Sequence, residues 1–315
     1  MSLFLFFIFG LILLLSGSRG VIVNSLLISK YSKISPFIVG ATIVAIGTSL
    51  PEIVVSFFGG VQKAADLSLG NIIGSNIANI GLILGLSLLL HPLYIGKNKT
   101  QENMVVCLAL SLLLFFLFFI DGISFNYGLY FIIFGFVVVL WEILNGKKTG
   151  LTEEINIKSK RTPFSSVGLL VFSLLSLFIG GKFLVDSGVQ IANMLKVPQE
   201  IIGITAIAIG TSLPELAVSV SGLIKGATKA EEKLVIGNIL GSNIFNILFG
   251  AGILGLFGVK HFSDTLSLFV FLIFTIIFCA IIFSYRGKYI PRFFGIILIL
   301  FYLSYLLLLI FMGNI

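Results

Sequence analysis

The sequence predicts an all-α membrane protein in which ten transmembrane helices form two inverted five-helix repeats with broken helices at the centre. Three observations lead to this fold class. The 315 residues are 58% hydrophobic and only 10% charged, whereas a soluble domain is about 25% charged. Apolar runs long enough to cross a bilayer follow one another along the chain. The hexapeptide GTSLPE occurs twice, each time within such a run.

The ten predicted spans are joined by short polar connections. Several exceed the ~20 residues of a minimal span, which indicates tilted or interrupted helices. The first run has no positive charge before its apolar part, so it is interpreted as a helix and not as a cleaved signal peptide. The spans are residues 2–28, 36–61, 67–90, 104–120, 125–144, 164–195, 198–224, 234–257, 264–284 and 292–311.

The positive charge follows the connecting loops and predicts the topology. Counted from the first connection, the odd loops carry fifteen Lys and Arg residues, and the even loops carry only Lys63, Lys196 and Lys260. By the positive-inside rule the odd loops are cytoplasmic and both termini lie outside the plasma (cell inner) membrane. The net charge of +7 is thus a topology signal in the lipid bilayer, and no nucleic-acid partner is expected.

The chain is an internal duplication. Residues 37–56 match 201–219 at an offset of 163, and residues 69–85 match 236–252 at an offset of 167. Because each half holds five spans, the second half enters the membrane from the opposite side, as in many secondary transporters. The predicted domains are a first repeat at 1–144 with its motif region at 40–85, a cytoplasmic linker at 145–163, and a second repeat at 164–315 with its motif region at 203–252.

GTSLPE should interrupt a helix inside the membrane. Pro51 and Pro214 lack an N–H and clash with the carbonyl four residues back, at Gly47 and Gly210. Unwound backbone survives at that depth only where it is buried in protein or lines a cavity. We therefore expect backbone and hydroxyl oxygens to be freed at an internal site in each half.

Three acidic residues are predicted to lie deep in the membrane: Glu52, Glu215 and Asp186. A carboxylate at the bilayer centre costs at least about 2.5 kcal/mol, so such residues are functional-site hypotheses. A protonated structural glutamate is the simpler alternative, but two repeat-related copies beside freed oxygens argue against it. No mid-membrane Lys or Arg is placed to neutralise both glutamates, whereas a bound cation would.

A second motif adds polar side chains along one helix face in each half. Amides and hydroxyls spaced four residues apart can join helices or bind ions, and both roles are expected. Together with the glutamates they form an all-oxygen set, which suits Ca²⁺ and also accepts Na⁺. The residues are Asn71, Ser75 and Asn79 in the first half and Asn238, Ser242 and Asn246 in the second.

Other kinds of site are not expected. Cys107 and Cys279 lie in apolar spans and are interpreted as small buried hydrophobes, and His91 and His261 as interfacial residues. An intramembrane aspartyl protease needs two facing aspartates, and Asp186 is matched by Val23. We therefore expect a carrier with no enzymatic activity, no cofactor and no obligate protein partner.

G-T-S-L-P-E together with G-N-x-x-G-S-N-x-x-N, present in both halves, resembles the two α-repeats of the calcium/cation antiporter superfamily. The pattern is most similar to the sodium/calcium exchanger branch in its compact prokaryotic form, and the resemblance covers essentially the whole chain. It implies exchange of Na⁺ for Ca²⁺ by alternating access, with the first and sixth helices sliding across the core.

The resemblance also implies roles for individual residues. Ca²⁺ would be bound by Glu52 and Glu215 and by the backbone carbonyls of Thr48 and Thr211. Asn71, Asn79, Asn238 and Asn246 would form the central polar cluster. The Na⁺ sites would use Ala45, Ser49, Glu52, Ser75, Ala208, Ser212, Glu215 and Ser242.

Departures from the family pattern refine these expectations. Potassium-dependent relatives carry Asp where this chain has Asn246, so exchange is expected to be independent of K⁺ and electrogenic. Some relatives have an acidic residue where this chain has Arg19 and Lys182, which are interpreted here as snorkelling side chains. The alternative function is a Ca²⁺/H⁺ antiporter, although that branch has a carboxylate where this chain has Gly74 and Gly241.

Overall fold

A computed structural model describes residues 2–120, 122–149, 155, 161–194, 210–224, 227–260, 262 and 264–313. Within these ranges eight helices are long and apolar enough to cross a membrane, and a bent pair adds a ninth span. The chain is therefore an all-helical, multi-pass membrane protein. The first part of the predicted seventh span, residues 198–209, lies outside the described residues, so the count of ten helices stays a prediction.

The helices agree with the predicted spans to within a few residues wherever both are described. They are α1 (Ser2–Ser32), α2 (Pro36–Thr48), α3 (Leu50–Val61), α4 (Ala65–Leu90), α5 (Lys99–Ile120), α6 (Phe125–Thr149), α7 (Pro163–Met194), α8 (Leu213–Leu223), α9 (Lys229–Gly255), α10 (Thr265–Ser284) and α11 (Phe293–Gly313).

Two helices form the centre of the molecule. The helices differ in the share of buried residues in their most apolar 18-residue stretch. This share is 100% in α9 and 83% in α4, but only 22% in α6 and in α11. The polar motif G-N-x-x-G-S-N lies on α4 and α9. The helices that carry the repeated polar motif are therefore the ones most shielded from lipid, as the cost of polar groups in hydrocarbon requires.

Glycine lets α2 and α9 pack with their backbones in contact. A Cβ atom on Gly237 would lie 2.1 Å from the carbonyl oxygen of Phe37, and one on Gly40 would lie 2.2 Å from that of Leu234. Helices associate in lipid through such close van der Waals packing, since the apolar surface gains little by leaving the lipid. The first glycine of the G-N-x-x-G-S motif thus fixes the distance between these two helices.

The helices α1 and α7 form an antiparallel pair of the same kind. A Cβ atom on Gly10 would meet the carbonyl oxygen of Gly180 at 2.9 Å, and one on Gly17 would meet that of Ser173 at 2.8 Å. Between these contacts the Ser176 hydroxyl donates to the carbonyl of Leu13 at 3.0 Å. The pair crosses near this hydrogen bond.

The predicted helix break is present, and three further irregularities accompany it. α2 and α3 are bent by 43° on either side of Ser49, two residues before Pro51. Segments of π-helix, which the sequence did not indicate, occur at Gly40–Val44, Asn79–Leu84 and Asn246–Ala251. Single π turns within α-helices are common at functional sites, and two of these begin at equivalent asparagines of the two halves.

Two short β pairings were not predicted. β1 (Leu93–Tyr94) pairs antiparallel with β2 (Tyr289–Ile290), and Ile123 forms an isolated bridge with Val259. Runs of one or two residues are too short to produce an alternating pattern that could be recognised in the sequence. Both pairings join a connection in the first half of the chain to one in the second half.

We expect Gly237→Ala to destabilise the fold by about 1–3 kcal/mol, because the added methyl group would strike the backbone of α2. Gly168→Ala in α7 is the matched control, since a Cβ there meets no atom within 4 Å. Thermal unfolding in detergent should show a lower midpoint for Gly237→Ala only. Equal midpoints for the two variants would contradict the backbone contact.

Candidate functional site

The two glutamates of the repeated hexapeptide lie at equivalent places in the fold. Glu52 lies in the first turn of α3 and Glu215 in the first turn of α8. Their side chains are buried, with exposed fractions of 0% and 1%. A helix N-terminus favours negative charge, which partly offsets the burial. Among the described residues, no Lys, Arg or His forms an ion pair with either carboxylate.

Serine hydroxyls hold one oxygen of each carboxylate. Ser75 on α4 donates to Oε1 of Glu52 at 3.2 Å. Ser49, at the break between α2 and α3, donates to Oε1 of Glu215 at 3.1 Å, and Ser242 on α9 lies 3.5 Å from the same oxygen. The bond from Ser49 to Glu215 crosses between the two halves of the chain.

Threonines tie each repeated hexapeptide to the polar motif of the other half. The Thr48 hydroxyl donates to Oδ1 of Asn238 on α9 at 3.3 Å. The Thr211 hydroxyl donates to Oδ1 of Asn71 on α4 at 3.0 Å and lies 3.2 Å from the Ser75 hydroxyl. The two halves thus build a single polar cluster between them.

Several oxygens of this cluster have no hydrogen-bond donor among the described residues. A buried acceptor without a partner is costly, by about 1–3 kcal/mol and more when charged. Such atoms in a native structure call for a ligand or ordered water. The unpartnered oxygens are Oε2 of Glu52, Oε2 of Glu215, Oδ1 of Asn79, Oδ1 of Asn246 and Oγ of Ser212.

The remaining predicted Na⁺ ligands are the two alanine carbonyls. Ala45 is fully buried, its carbonyl accepts from the backbone N–H of Ser49 at 3.0 Å, and the Thr48 hydroxyl lies 3.3 Å from the same oxygen. This oxygen is therefore already engaged within the protein. Ala208 lies outside the described residues, as do the other residues of the second motif region before Gly210.

The structure corrects three assignments of acidic residues. Asp186, predicted to be deep, is exposed, because it lines an open cavity together with Lys182. Glu142 and Glu232, which were not among the acidic residues predicted to lie deep, have exposed fractions of only 5% and 2%. Position along a helix does not reveal which neighbouring element covers its end.

The two newly recognised buried glutamates have protein partners of their own. Glu232 lies 3.0 Å from Nε2 of His91 and accepts from the backbone N–H of Tyr94 at 3.0 Å. Glu142 accepts from Nδ2 of Asn103 at 3.1 Å and lies 3.8 Å from the Lys99 ammonium. Burial alone therefore does not identify a carboxylate as an ion ligand; the lack of a cationic partner distinguishes Glu52 and Glu215.

Three polar residues at the cluster were missed in the sequence. Asn76 is fully buried and accepts from Nδ2 of Asn246 at 3.1 Å. Ser56 and Ser219, each four residues after a glutamate, are also fully buried, and Ser56 donates to the carbonyl of Glu52 at 2.7 Å. The sequence did contain evidence for these residues, because Ser56 and Ser219 are equivalent in the repeat and Asn76 belongs to the repeated motif. Asn76 lies beside the face of α4 that the four-residue spacing selected, whereas Ser56 and Ser219 lie on α3 and α8.

Comparisons with known proteins agree with this architecture. The family model described as "Sodium/calcium exchanger protein" matches residues 2–144 and 165–311. The sodium/calcium exchanger MaX1 of Methanosarcina acetivorans is 31% identical in an alignment that covers 97% of this chain and 98% of that protein. An uncharacterised membrane protein of Methanocaldococcus jannaschii is 39% identical over 77% of this chain and 78% of its own length.

Solved structures of the sodium-calcium exchanger NCX_Mj have the same fold. The form soaked with 2.5 mM Na⁺ and 0.1 mM Ca²⁺ is 32% identical, aligns over 96% of this chain and 97% of that chain, and gives a TM-score of 0.82. Both the sequence and the fold are thus similar over nearly the whole length. The chain belongs to the sodium/calcium exchanger protein family.

Proposed function

We propose that the chain is a secondary antiporter that exchanges Na⁺ for Ca²⁺ across the membrane by alternating access. The observation that carries this proposal is the pair of buried, repeat-related glutamates, each with one unpartnered oxygen and with no cationic partner in the described part of the chain. Relatives named as sodium/calcium exchangers support the same conclusion.

Ca²⁺ is proposed to bind between the two broken helices. Glu52 and Glu215 supply its charged ligands, and the backbone carbonyls of Thr48 and Thr211 supply neutral ones. Ca²⁺ accepts six to eight oxygens in flexible geometry, which fits a cluster built only of carboxylates, carbonyls, hydroxyls and amides. The Asn79 and Asn246 side chains each keep one unpartnered amide oxygen that faces no donor.

Na⁺ is proposed to use the same glutamates with neighbouring neutral oxygens. The unpartnered Ser212 hydroxyl supports a Na⁺ role most directly, because it is a buried oxygen whose partner is missing. The serines that now donate to carboxylates can rotate toward an ion once it neutralises those charges. The proposed Na⁺ ligands are Ala45, Ser49, Glu52, Ser75, Ala208, Ser212, Glu215 and Ser242.

The charge balance makes the proposed exchange electrogenic. Two ionised glutamates neutralise one Ca²⁺, whereas three Na⁺, the number that the family resemblance implies, leave one positive charge uncompensated. Asn246 is neutral, so the cluster offers no third carboxylate for K⁺. Each cycle then moves one net positive charge in the direction of Na⁺.

We further propose the inverted repeat and its orientation. At the repeat offset of 167, Ile123 corresponds to Ile290. Leu93 corresponds to position 260, one residue after Val259. The two β pairings, Leu93 with Ile290 and Ile123 with Val259, are therefore repeat equivalents of each other. The charge bias of the loops supports both termini outside the plasma membrane and the linker 145–163 in the cytoplasm.

Ca²⁺/H⁺ exchange is the second candidate. A protein of Alkalimonas amylolytica named as the antiporter CaxA is 37% identical over 79% of this chain, so related chains are not all named as sodium/calcium exchangers. Two buried glutamates could release protons when Ca²⁺ binds. The glycines at positions 74 and 241, where proton-coupled relatives carry a carboxylate, favour Na⁺.

Purified protein in liposomes should take up ⁴⁵Ca²⁺ when an outward Na⁺ gradient is imposed. An outward H⁺ gradient of equal size should give little uptake, because the serine and amide oxygens suit Na⁺ and carry no exchangeable acid. Initial rates at matched Ca²⁺ decide between the two coupling ions. Uptake that responds to H⁺ alone would replace the Na⁺ proposal by the Ca²⁺/H⁺ one.

Glu52→Gln and Glu215→Gln should each lower Na⁺-driven Ca²⁺ uptake by at least about tenfold, because loss of a charged ligand costs more than about 1.4 kcal/mol. Glu142→Gln is the matched control, since Glu142 is also buried but bonds Asn103 outside the cluster. Yield and thermal midpoint should stay close to wild type in all three. Full transport by both site variants would overturn the assignment.

An inside-positive potential, set with valinomycin and a K⁺ gradient, should accelerate Na⁺-driven Ca²⁺ uptake, and an inside-negative potential should slow it. The reason is the net positive charge that leaves with Na⁺ in each cycle. Replacing K⁺ with choline, with the potential clamped to zero by a protonophore at equal pH, should leave the rate unchanged. Ca²⁺ uptake rates that do not change with the membrane potential would indicate an electroneutral stoichiometry.

A further inference from the structure

Arg19 is held by an acidic residue at the start of α9. Its guanidinium lies 3.6 Å from Oε1 of Glu231, and the two side chains are 55% and 16% exposed. Glu231 also forms a capping box with Thr228 through its other oxygen. The ion pair therefore links α1, which packs along α7, to the first turn of the most deeply buried helix.

The same stretch of α1 is sealed against α8. The Ser18 and Ser221 hydroxyls are hydrogen-bonded to each other. A Cβ on Gly222 would lie 3.2 Å from Cδ1 of Ile22, and both Ser18 and Ile22 are fully buried. The positive-inside rule assigns this end of the molecule to the cytoplasmic half of the membrane, because the loop before α9 is one of the basic loops.

The equivalent stretch of α7 is open. Lys182, which matches Arg19 at the offset of 163, lines a cavity of about 500 Å³ together with Val185, the match of Ile22. The same cavity reaches Pro51 and Pro214 of the two repeated hexapeptides. Among the described residues, one end of the α1 and α7 pair is thus closed over the core, and the other is open as far as the prolines that precede the two glutamates.

Both basic residues are equally far from the crossing of the two helices. Arg19 is six residues beyond Leu13, and Lys182 is six residues beyond Ser176, where Leu13 and Ser176 share the hydrogen bond at the crossing. At 1.5 Å per residue each cation lies about 9 Å from that point. Because the helices are antiparallel, the two cations lie on opposite sides of it.

We propose that the ion pair between Arg19 and Glu231 is a latch that holds the cytoplasmic end of the ion pathway closed and favours the outward-open conformation. This inference rests on the proposed exchange function. An exposed ion pair contributes little to overall stability, but two conformations of a carrier differ by only a few kcal/mol. A weak pair present in one conformation alone can therefore shift their populations several-fold.

The test measures how open the outer cavity is. Val185→Cys is introduced in a background in which Cys107 and Cys279 are replaced by Ser, and its labelling by a membrane-impermeant thiol reagent is timed in liposomes. Arg19→Gln should slow this labelling by up to about fivefold, the largest change that loss of one partly exposed ion pair can produce. Glu231→Gln should slow it equally, and Gln keeps the capping box intact.

The double variant separates a latch from two unrelated effects. Arg19→Gln with Glu231→Gln should label no more slowly than either single variant, because the same interaction is removed each time. Lys33→Gln, which removes a cytoplasmic charge outside the pair, is the control and should label at the wild-type rate. Additive effects in the double variant, or unchanged labelling in both single variants, would overturn the proposal.

Failure of the latch and failure of the exchange proposal give different results. If the chain did not exchange Na⁺ for Ca²⁺, uptake by the unmodified protein would be absent, although the labelling rates would still report on the pair. If the latch alone were wrong, wild-type uptake would be intact and labelling would not depend on Arg19. In the Val185→Cys protein with Arg19 and Glu231 intact, faster labelling when Na⁺ replaces choline on both sides of the membrane would show that the cavity leads to the ion site.

Discussion

Two carboxylates are buried together in an interior where the described residues supply no compensating positive charge. The remaining features of the centre follow from that constraint. A serine on the opposing helix donates to one oxygen of each glutamate, and each glutamate begins a helix whose N-terminus favours negative charge. These contacts stabilise the charges only in part. We propose that a mobile cation completes the site. A carrier needs an empty site that is unfavourable enough to bind the next ion.

The same constraint explains the distribution of small and polar residues. Thr48 reaches Asn238 and Thr211 reaches Asn71 because the broken helices and the motif helices approach each other closely. Close approach requires the glycines of the polar motif, such as Gly237, whose α-carbon leaves no room for a side chain against α2. Packing and the proposed ion binding therefore depend on one sequence motif.

Much of this could be predicted from the sequence because lipid imposes simple rules. Long apolar runs gave the helices, and the repetition of Pro51 and Glu52 at Pro214 and Glu215 indicated the centre. The π-helical segments at Asn79 and Asn246 could not be predicted, since their backbone geometry depends on how neighbouring helices pack. The same holds for Glu142 and Glu232, whose burial is decided by distant elements that cover them. Asp186 was misjudged for the converse reason, because a cavity opens beside it.

The β pairing of Leu93 with Ile290 has a consequence for how the protein is made. These residues are 197 positions apart in a chain of 315, and they can meet only after the last helix but one has left the ribosome. Until α9 is inserted, helices α1 to α6 lie in the bilayer with their polar faces incompletely covered, because α9 supplies the surface against which α2 packs. Contacts of such long range slow folding. A chain truncated after its first half would therefore remain a substrate for membrane quality-control proteases.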